Sequence, residues 1–262
     1  MTRPQIHRFD VVTSTNDVAL QMARDGAPDG TVVLAASQTA GRGRRGSTWL
    51  DGPGDSVLMS VVAAQGRPAG EAYRLCFAAS LAVRDSLHDF CGVGDVLVKW
   101  PNDVVAGGRK IAGILIETTT SRADGRRADL ALWDLVGKLR GQPVAVVGIG
   151  INVGQHEFEG ELEEIATSVL IETGRSPAIE DLAVQVAQRL LDLVDSARDG
   201  FEGIVRRWAK YMWGLGRRVR VDTGERVVKG RVAGVDARGA FLVTDAVGRT
   251  ETVLAADSIR VF

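Results

Sequence analysis

The apolar positions of the chain change period along its length, and the changes mark its elements. IHRFDVV reads as a strand, and TSTND behind it offers helix N-caps for a helix over DVALQMARDG. TVVLAAS is β-rich and almost wholly apolar, as a buried strand is, and SVLMSVVAA has the same texture. In EAYRLCFAASLAVRDSLHDF, Leu75, Ala79, Ala82, Val83, Leu87 and Phe90 recur at helical spacing, which predicts an amphipathic helix against the core. VLVKW, VVAGGRKIAGILIET and PVAVVGIGINV are further strands, with Gly107-Gly108 as a two-residue hairpin turn. Ser176-Pro177 supplies an N-cap and a proline at the first helical position for a helix continuing through IEDLAVQVAQRLLDLVDSA, and GIVRRWAKYMW predicts another. From Gly214 short alternating runs take over (RRVRV, VVKGRVAGV, GAFLVT, TETVL, SIRVF), so a small antiparallel barrel is expected after a boundary near Gly214 to Gly216. Two stretches carry no regular period. One is QTAGRGRRGSTWLDGPGD, a loop long enough to suggest function; the other is the polar insertion TSRADGRRADLALWDLVGKLRGQ.

Composition narrows what such a chain can do. Its 262 residues hold 32 basic and 33 acidic side chains, so bulk electrostatic attraction to nucleic acid or membrane is excluded and any anion site must be local. No run of about 18 apolar residues exists to span a bilayer, and MTRPQIHRFD lacks the apolar core of a signal peptide, which leads us to expect a cytoplasmic protein. Two cysteines, Cys76 and Cys91, and three scattered histidines do not form a disulfide framework or a thiolate or imidazole metal cluster. Cys76 lies among apolar neighbours on a core helix, where a structural thiol is the simpler reading.

Three clusters could carry chemistry. Gly41-Arg42-Gly43-Arg44-Arg45-Gly46 matches G-x-G-x-x-G after a strand, but STWLDGPGD cannot open the helix that a dinucleotide fold needs there. What remains is three guanidiniums on a permissive backbone, suited to carboxylate or phosphate; the alternative is a solvated basic loop. Lys99-Trp100-Pro101-Asn102-Asp103, with Lys110 following, puts an amide and a carboxylate beside two lysines, a set that could hold a hydrated Mg²⁺ and nucleotide phosphates. A turn dipeptide and a strand-edge charge explain the same residues. Gly148-Ile149-Gly150-Ile151-Asn152-Val153 interrupts a buried strand with small residues, permitting close backbone approach or marking a bulge.

Taken in order, Thr13-Ser14-Thr15-Asn16, Gln38 through Gly46, Lys99 through Asp103, Arg109-Lys110-Ile111-Ala112-Gly113-Ile114-Leu115-Ile116-Glu117 and Gly148 through Val153 resemble the biotin protein ligases. The resemblance continues more loosely through Ala166-Thr167-Ser168 and covers nearly the whole chain. It implies an α+β protein: a central mixed β-sheet flanked by helices, the class II aminoacyl-tRNA synthetase-like catalytic fold of biotin and lipoate ligases, over residues 1–213. A C-terminal SH3-like small β-barrel over 214–262 would follow. It also implies ATP and biotin as substrates with Mg²⁺, formation of biotinyl-5′-AMP and pyrophosphate, and transfer of biotin to a lysine of the biotin carboxyl carrier domain of an acetyl-CoA or acyl-CoA carboxylase. By the same resemblance, Lys110 and Arg44 are catalytic. Ser14, Thr15, Asn16, Gln38, Arg42, Gly43, Arg44, Lys110 and Gly113 would hold biotin. Arg45, Trp49, Lys99, Asn102 and Asn152 would hold nucleotide, and Asp103 the metal. A monomer or weak homodimer without nucleic-acid or membrane partners is expected.

The chain departs from that family in three places. Ser47 and Thr48 stand where many relatives carry basic residues, and the segment from Thr118 to Gln142 is longer than the family leads us to expect. Only five residues precede the strand beginning near Ile6, so the helix-turn-helix of repressor-type relatives is not expected. The nearest rivals are a lipoate ligase of the same catalytic fold and an octanoyltransferase, which needs a cysteine nucleophile in a motif absent here. A non-catalytic binding module is the rival from another class; its barrel would have few aromatics for base stacking, only Phe241 and Phe262.

Overall fold

The computed structural model of the chain describes residues 2–50, 54–63, 69–120, 143–197 and 200–262. The polar insertion at 121–142 lies outside them. Strands β1 (Gln5–Val12), β2 (Thr31–Gln38), β3 (Ser56–Ala63), β4 (Val96–Lys99), β5 (Asp103–Ala106), β6 (Arg109–Thr120) and β7 (Pro143–Asn152) form one sheet in the order β1-β2-β3-β7-β6-β5-β4. It is a mixed sheet: β1 and β2 run parallel, and the other neighbours are antiparallel. Gly107 and Gly108 both have positive φ, 55° and 81°, as a two-residue turn between β5 and β6 demands.

Every residue of β3 is buried because both faces of the sheet are covered. On one face, Ala19, Leu20 and Ala23 of helix α1 (Thr15–Arg24) pack on Val33, Val62, Val144 and Val146. On the other, Val57, Met59 and Val61 join α2 (Leu75–Asp89) and α5 (Ile179–Ser196) in the main core. The period of two carries the site. Ala112, Ile114 and Ile116 of β6 and Val147, Ile149 and Ile151 of β7 belong to the main core, whereas Gly113, Leu115, Glu117, Gly148, Gly150 and Asn152 alternate with them. Two short helices, α3 (Leu162–Ile165) and α4 (Val169–Thr173), follow β7. Ser168 caps α4 by accepting a bond from the Ile171 N–H.

Three local expectations change. Ser14 occupies the N-cap position of α1 but makes no capping bond through its side chain. Helix α5 begins at Ile179 with Ala178 as its extended cap, two residues beyond the expected Ser176-Pro177 start, and Glu180 and Asp181 supply the negative charge that favours a helix N-terminus. Helix α6 covers Glu202–Ala209 and stops short of Trp213, because the chain beyond it pairs with the outer edge of β4. There the Val98 N–H donates to the Tyr211 carbonyl (2.9 Å) and the Trp213 N–H to the Val98 carbonyl (2.8 Å).

Strands β8 (Arg218–Asp222), β9 (Val227–Val235), β10 (Phe241–Thr244), β11 (Thr250–Val253) and β12 (Ser258–Val261) form an antiparallel sheet in the order β11-β10-β9-β8-β12. Its inward Val219, Val221, Val232, Phe241 and Val243 are continuous with the main core. Trp100 provides the join. Buried in the turn after β4, it donates its indole N–H to the Gly239 carbonyl (2.9 Å) and packs its ring 5.2 Å from that of Phe241. Replacing Trp100 by Phe would keep the ring contact and leave the Gly239 carbonyl without its donor. Urea unfolding of Trp100→Phe is expected to show a loss of about 1–3 kcal/mol, and an unchanged midpoint would remove Trp100 from this role.

Candidate active site

The N-terminus of α1 meets β2, β3 and β6 at a buried polar cluster. Gln38 Oε1 accepts bonds from the backbone N–H (2.8 Å) and hydroxyl (3.1 Å) of Thr15. Ser60, on the α1 face of β3, donates towards Thr15 Oγ1 (2.8 Å) and Asn16 Oδ1 (2.5 Å), and the Asn16 amide donates to Glu117 (2.6 Å). Ser14, Thr15, Asn16 and Ser60 are all buried, and the mutual hydrogen bonds of the last three offset the cost of removing them from water.

From that cluster a line of contacts runs along β7 and across to β6. A Cβ on Gly148 would lie 2.4 Å from Asn16 Oδ1, and one on Gly150 would lie 2.5 Å from the Trp49 ring. A Cβ on Gly113 would meet both Trp49 and Lys110. Lys110 Nζ lies 5.6 Å from the Trp49 ring centroid and 2.7 Å from Asp103 Oδ1. The cleft therefore passes from neutral hydrogen-bonding groups, through glycines and an indole, to a cation. It is a cavity of about 420 Å³, the size of a site for a small molecule or cofactor.

The three guanidiniums of the 38–55 loop have unlike surroundings. Arg42 is bidentate to Asp17 (2.8 and 3.0 Å) and reaches Glu117 (3.0 Å). The Asp17 bond foremost raises its pKa above the ordinary arginine value. Arg45, with a left-handed backbone (φ 55°), forms an ion pair with Asp257 in the turn between β11 and β12. Arg44 donates to Asn102 Oδ1 (3.1 Å) and has no acidic partner within ion-pair distance among the described residues; burial lowers its pKa. Among the described residues it is thus the loop arginine without an ion pair.

The Biotin/lipoate A/B protein ligase family matches residues 8–126, and the Biotin protein ligase C terminal domain matches residues 214–257. The biotin–[acetyl-CoA-carboxylase] ligase of Paracoccus denitrificans is 34% identical over 243 residues, 90% of this chain and 92% of that protein. The corresponding ligase of Mycobacterium tuberculosis is 33% identical over 260 residues, 96% of this chain and 88% of its own. The chain belongs to the biotin protein ligase family. The biotin protein ligase of Aquifex aeolicus, solved with biotin and ATP, shares the fold, with a TM-score of 0.78 and 23% identity over 98% of this chain and 99% of that one.

Of the residues singled out for the family's chemistry, Ser14, Thr15, Asn16, Gln38, Arg42, Gly43, Arg44, Arg45, Trp49, Asn102, Asp103, Lys110 and Gly113 line this one cavity. Lys99 and Asn152 stand apart from its wall. Lys99 sits over the Trp213 ring (4.8 Å), with its pKa lowered by burial. Asn152 donates to the Thr167 carbonyl (3.0 Å), and the Thr167 N–H in turn donates to the carbonyl of Lys110 (2.8 Å). Asn152 therefore holds the backbone that carries Lys110.

Residue reading missed Asp17, Ser60, Asp257 and any role for Glu117. Ser60 and Glu117 had a signal: a hydroxyl within the apolar run of β3, and a carboxylate that directly follows the apolar run Ile114-Leu115-Ile116 of β6. Asp257 had none, because only the docking of the C-terminal sheet brings it to Arg45. Gly148→Ala tests the close approach: its methyl must displace the Asn16 amide. We expect a folded protein whose calorimetric affinity for biotin falls at least about tenfold, a cost of the kind that overpacking exacts; unchanged affinity would contradict it.

Proposed function

We propose that this chain activates biotin with ATP to biotinyl-5′-AMP, releasing pyrophosphate, and then passes biotin to a lysine of a carboxylase's biotin carboxyl carrier domain. The observation that carries this reading is the order of groups along the cleft. Biotin is a bicyclic urea with an apolar tail that ends in a carboxylate. Ser14, Thr15, Asn16 and Gln38 suit the urea, Gly148 and Gly150 the tail, and Arg44 and Lys110 the carboxylate.

The first step brings two anions together. The biotin carboxylate oxygen attacks the α-phosphorus, and the bond to the pyrophosphate oxygen breaks. Lys110, held at 2.7 Å from Asp103, and Arg44 can stabilise the negative charge that accumulates as the two meet. No protein nucleophile is required. Burial pushes the Cys76 thiol up to about 12, which argues against the thiol chemistry of an octanoyltransferase.

Mg²⁺ belongs to this reading as the ion that arrives on ATP and offsets phosphate charge. Among the described residues no group of three acidic, histidine or cysteine side chains forms a metal cage. The single carboxylate of Asp103 suits an ion that keeps its waters and its phosphates. Arg45, Trp49 and Asn102 would meet the nucleotide. Lys99 and Asn152 would act from behind the wall, Asn152 by holding the strand of Lys110. In this reading residues 1–213 form the catalytic unit and 214–262 a unit closing its mouth. The working form is a cytoplasmic monomer or weak homodimer whose macromolecular partner is the carrier, not nucleic acid or membrane.

Incubating the protein with MgATP, an apo carrier domain and either biotin or lipoate, then weighing the carrier, tests the assignment. A biotinyl mass gain is expected; a gain with lipoate and none with biotin would overturn it. Lys110→Ala should remain folded while forming biotinyl-AMP roughly 10²–10³-fold more slowly, the loss typical of a removed charge-stabilising donor. A normal rate of adenylation would take Lys110 out of the chemistry.

A further inference from the structure

A second, smaller cavity of about 100 Å³ lies between α2 and the C-terminal sheet, walled by Tyr73, Cys76, Phe77, Trp100, Leu115 and Leu254. It adjoins the main cavity, with which it shares Arg44, Asn102, Ile114 and Leu115. Its lining includes Leu254, which is 54% exposed, and Arg44, which it shares with the main cavity, so it touches both the surface and the site.

We propose that this second cavity is the passage through which the acceptor lysine of the carrier reaches the activated carboxyl group. The statement rests on the biotin-ligase reading and names the route of its second step. At that step biotinyl-AMP occupies the main cavity, so the incoming amine needs another approach to the same reacting atoms. The passage fits an alkyl stem better than a purine. Apart from Arg44 at the junction with the main cavity and the Cys76 thiol, its side-chain hydrogen-bonding groups are already engaged: the Trp100 indole donates to Gly239, Tyr73 donates to the Arg238 carbonyl, and the Asn102 amide accepts from Arg44 and donates to the Ile114 carbonyl. A base would leave its polar edge unmatched there, whereas four methylenes need no partner.

The inner end also suits the chemistry. A lysine amine is a nucleophile only when neutral, and its ordinary pKa is about 10.4. An apolar wall and a neighbouring cation both favour the neutral form. Arg44 is that cation, without an acidic partner within ion-pair distance among the described residues. The amine nitrogen attacks the carbonyl carbon of the mixed anhydride; the C–N bond forms, the C–O bond to phosphate breaks, and AMP departs with the electron pair. The proton left on nitrogen goes to water.

Leu254→Trp narrows the passage at its exposed end and Cys76→Phe narrows it at its wall. Three rates are compared: formation of biotinyl-AMP, single-turnover transfer from bound biotinyl-AMP to the carrier, and its reaction with n-butylamine, an alkylamine with no docking surface. In both variants we expect transfer to carrier and to butylamine to fall at least about tenfold, with adenylation within about twofold of the parent. An equal loss of adenylation would assign the cavity to the nucleotide and overturn the proposal. Loss of carrier transfer with butylamine unaffected would make Leu254 part of a docking surface and also overturn it. Should Cys76→Phe fail to fold, Leu254→Trp decides, and unchanged transfer in that variant refutes the passage. Failure of the parent protein to make biotinyl-AMP would refute the biotin reading itself, before any variant is compared.

Discussion

Three arginines within four residues would repel one another in a half-buried cleft unless each had somewhere to put its charge. The fold solves this unevenly, and much of the site's layout follows. Arg42 is balanced by two carboxylates, Asp17 at the start of α1 and Glu117 on β6, so it ties the loop to the sheet and contributes little free charge. Arg45 is balanced by Asp257 of the C-terminal sheet. Arg44 alone keeps a neutral partner, the Asn102 amide. Among the described residues an anion entering the cleft meets one guanidinium without an ion pair, Arg44, and one lysine, Lys110, whose carboxylate partner Asp103 lies on the same wall. Compensation at two arginines leaves the third as a local positive charge in a chain of net charge -1.

The glycines of β6 and β7 serve the same layout from the backbone side. Because side chains alternate along a strand, the residues that back the site are interleaved with those that fill the core. Making the site-facing positions of β7 glycine removes side chains where Asn16 and Trp49 must press against the sheet, while Val147, Ile149 and Ile151 keep the core filled on the other face. A cleft next to a packed interior is otherwise hard to keep open, since interiors close on available volume.

Much of this was legible along the chain, and the failures have physical causes. The strands and α2 follow from apolar periodicity, which is set by burial, and the five C-terminal strands follow from alternation between turn signals. The end of α6 was misread because it depends on contacts distant in sequence: residues 211–213 leave the helix to pair with β4. At the site, the motif residues cluster as their order suggested, but their division of labour could not be read. Arg42, Arg44 and Arg45 look alike until Asp17, Glu117 and Asp257 are placed beside them. Lys99 and Asn152 sit within motifs without reaching the cavity wall. A motif names a neighbourhood of backbone, and which of its side chains face inward is decided by strand register and turn geometry.

The C-terminal sheet would be an odd appendage if it merely followed the seven-stranded sheet. Its interior is instead an extension of the main core, joined through Trp100 and Phe241, so the two cannot separate without exposing apolar surface. Trp100 adjoins Asn102, the partner of Arg44, and Asp257 is the partner of Arg45. Undocking the sheet would therefore free Arg45 and loosen the turn that holds Arg44, raising the loop's self-repulsion at the moment its hold on the sheet was lost. Charge balance in the arginine loop and attachment of the sheet are two expressions of one packing solution. For that reason the sheet belongs to the active site although it supplies little of the cavity wall beyond Ala256 and Asp257.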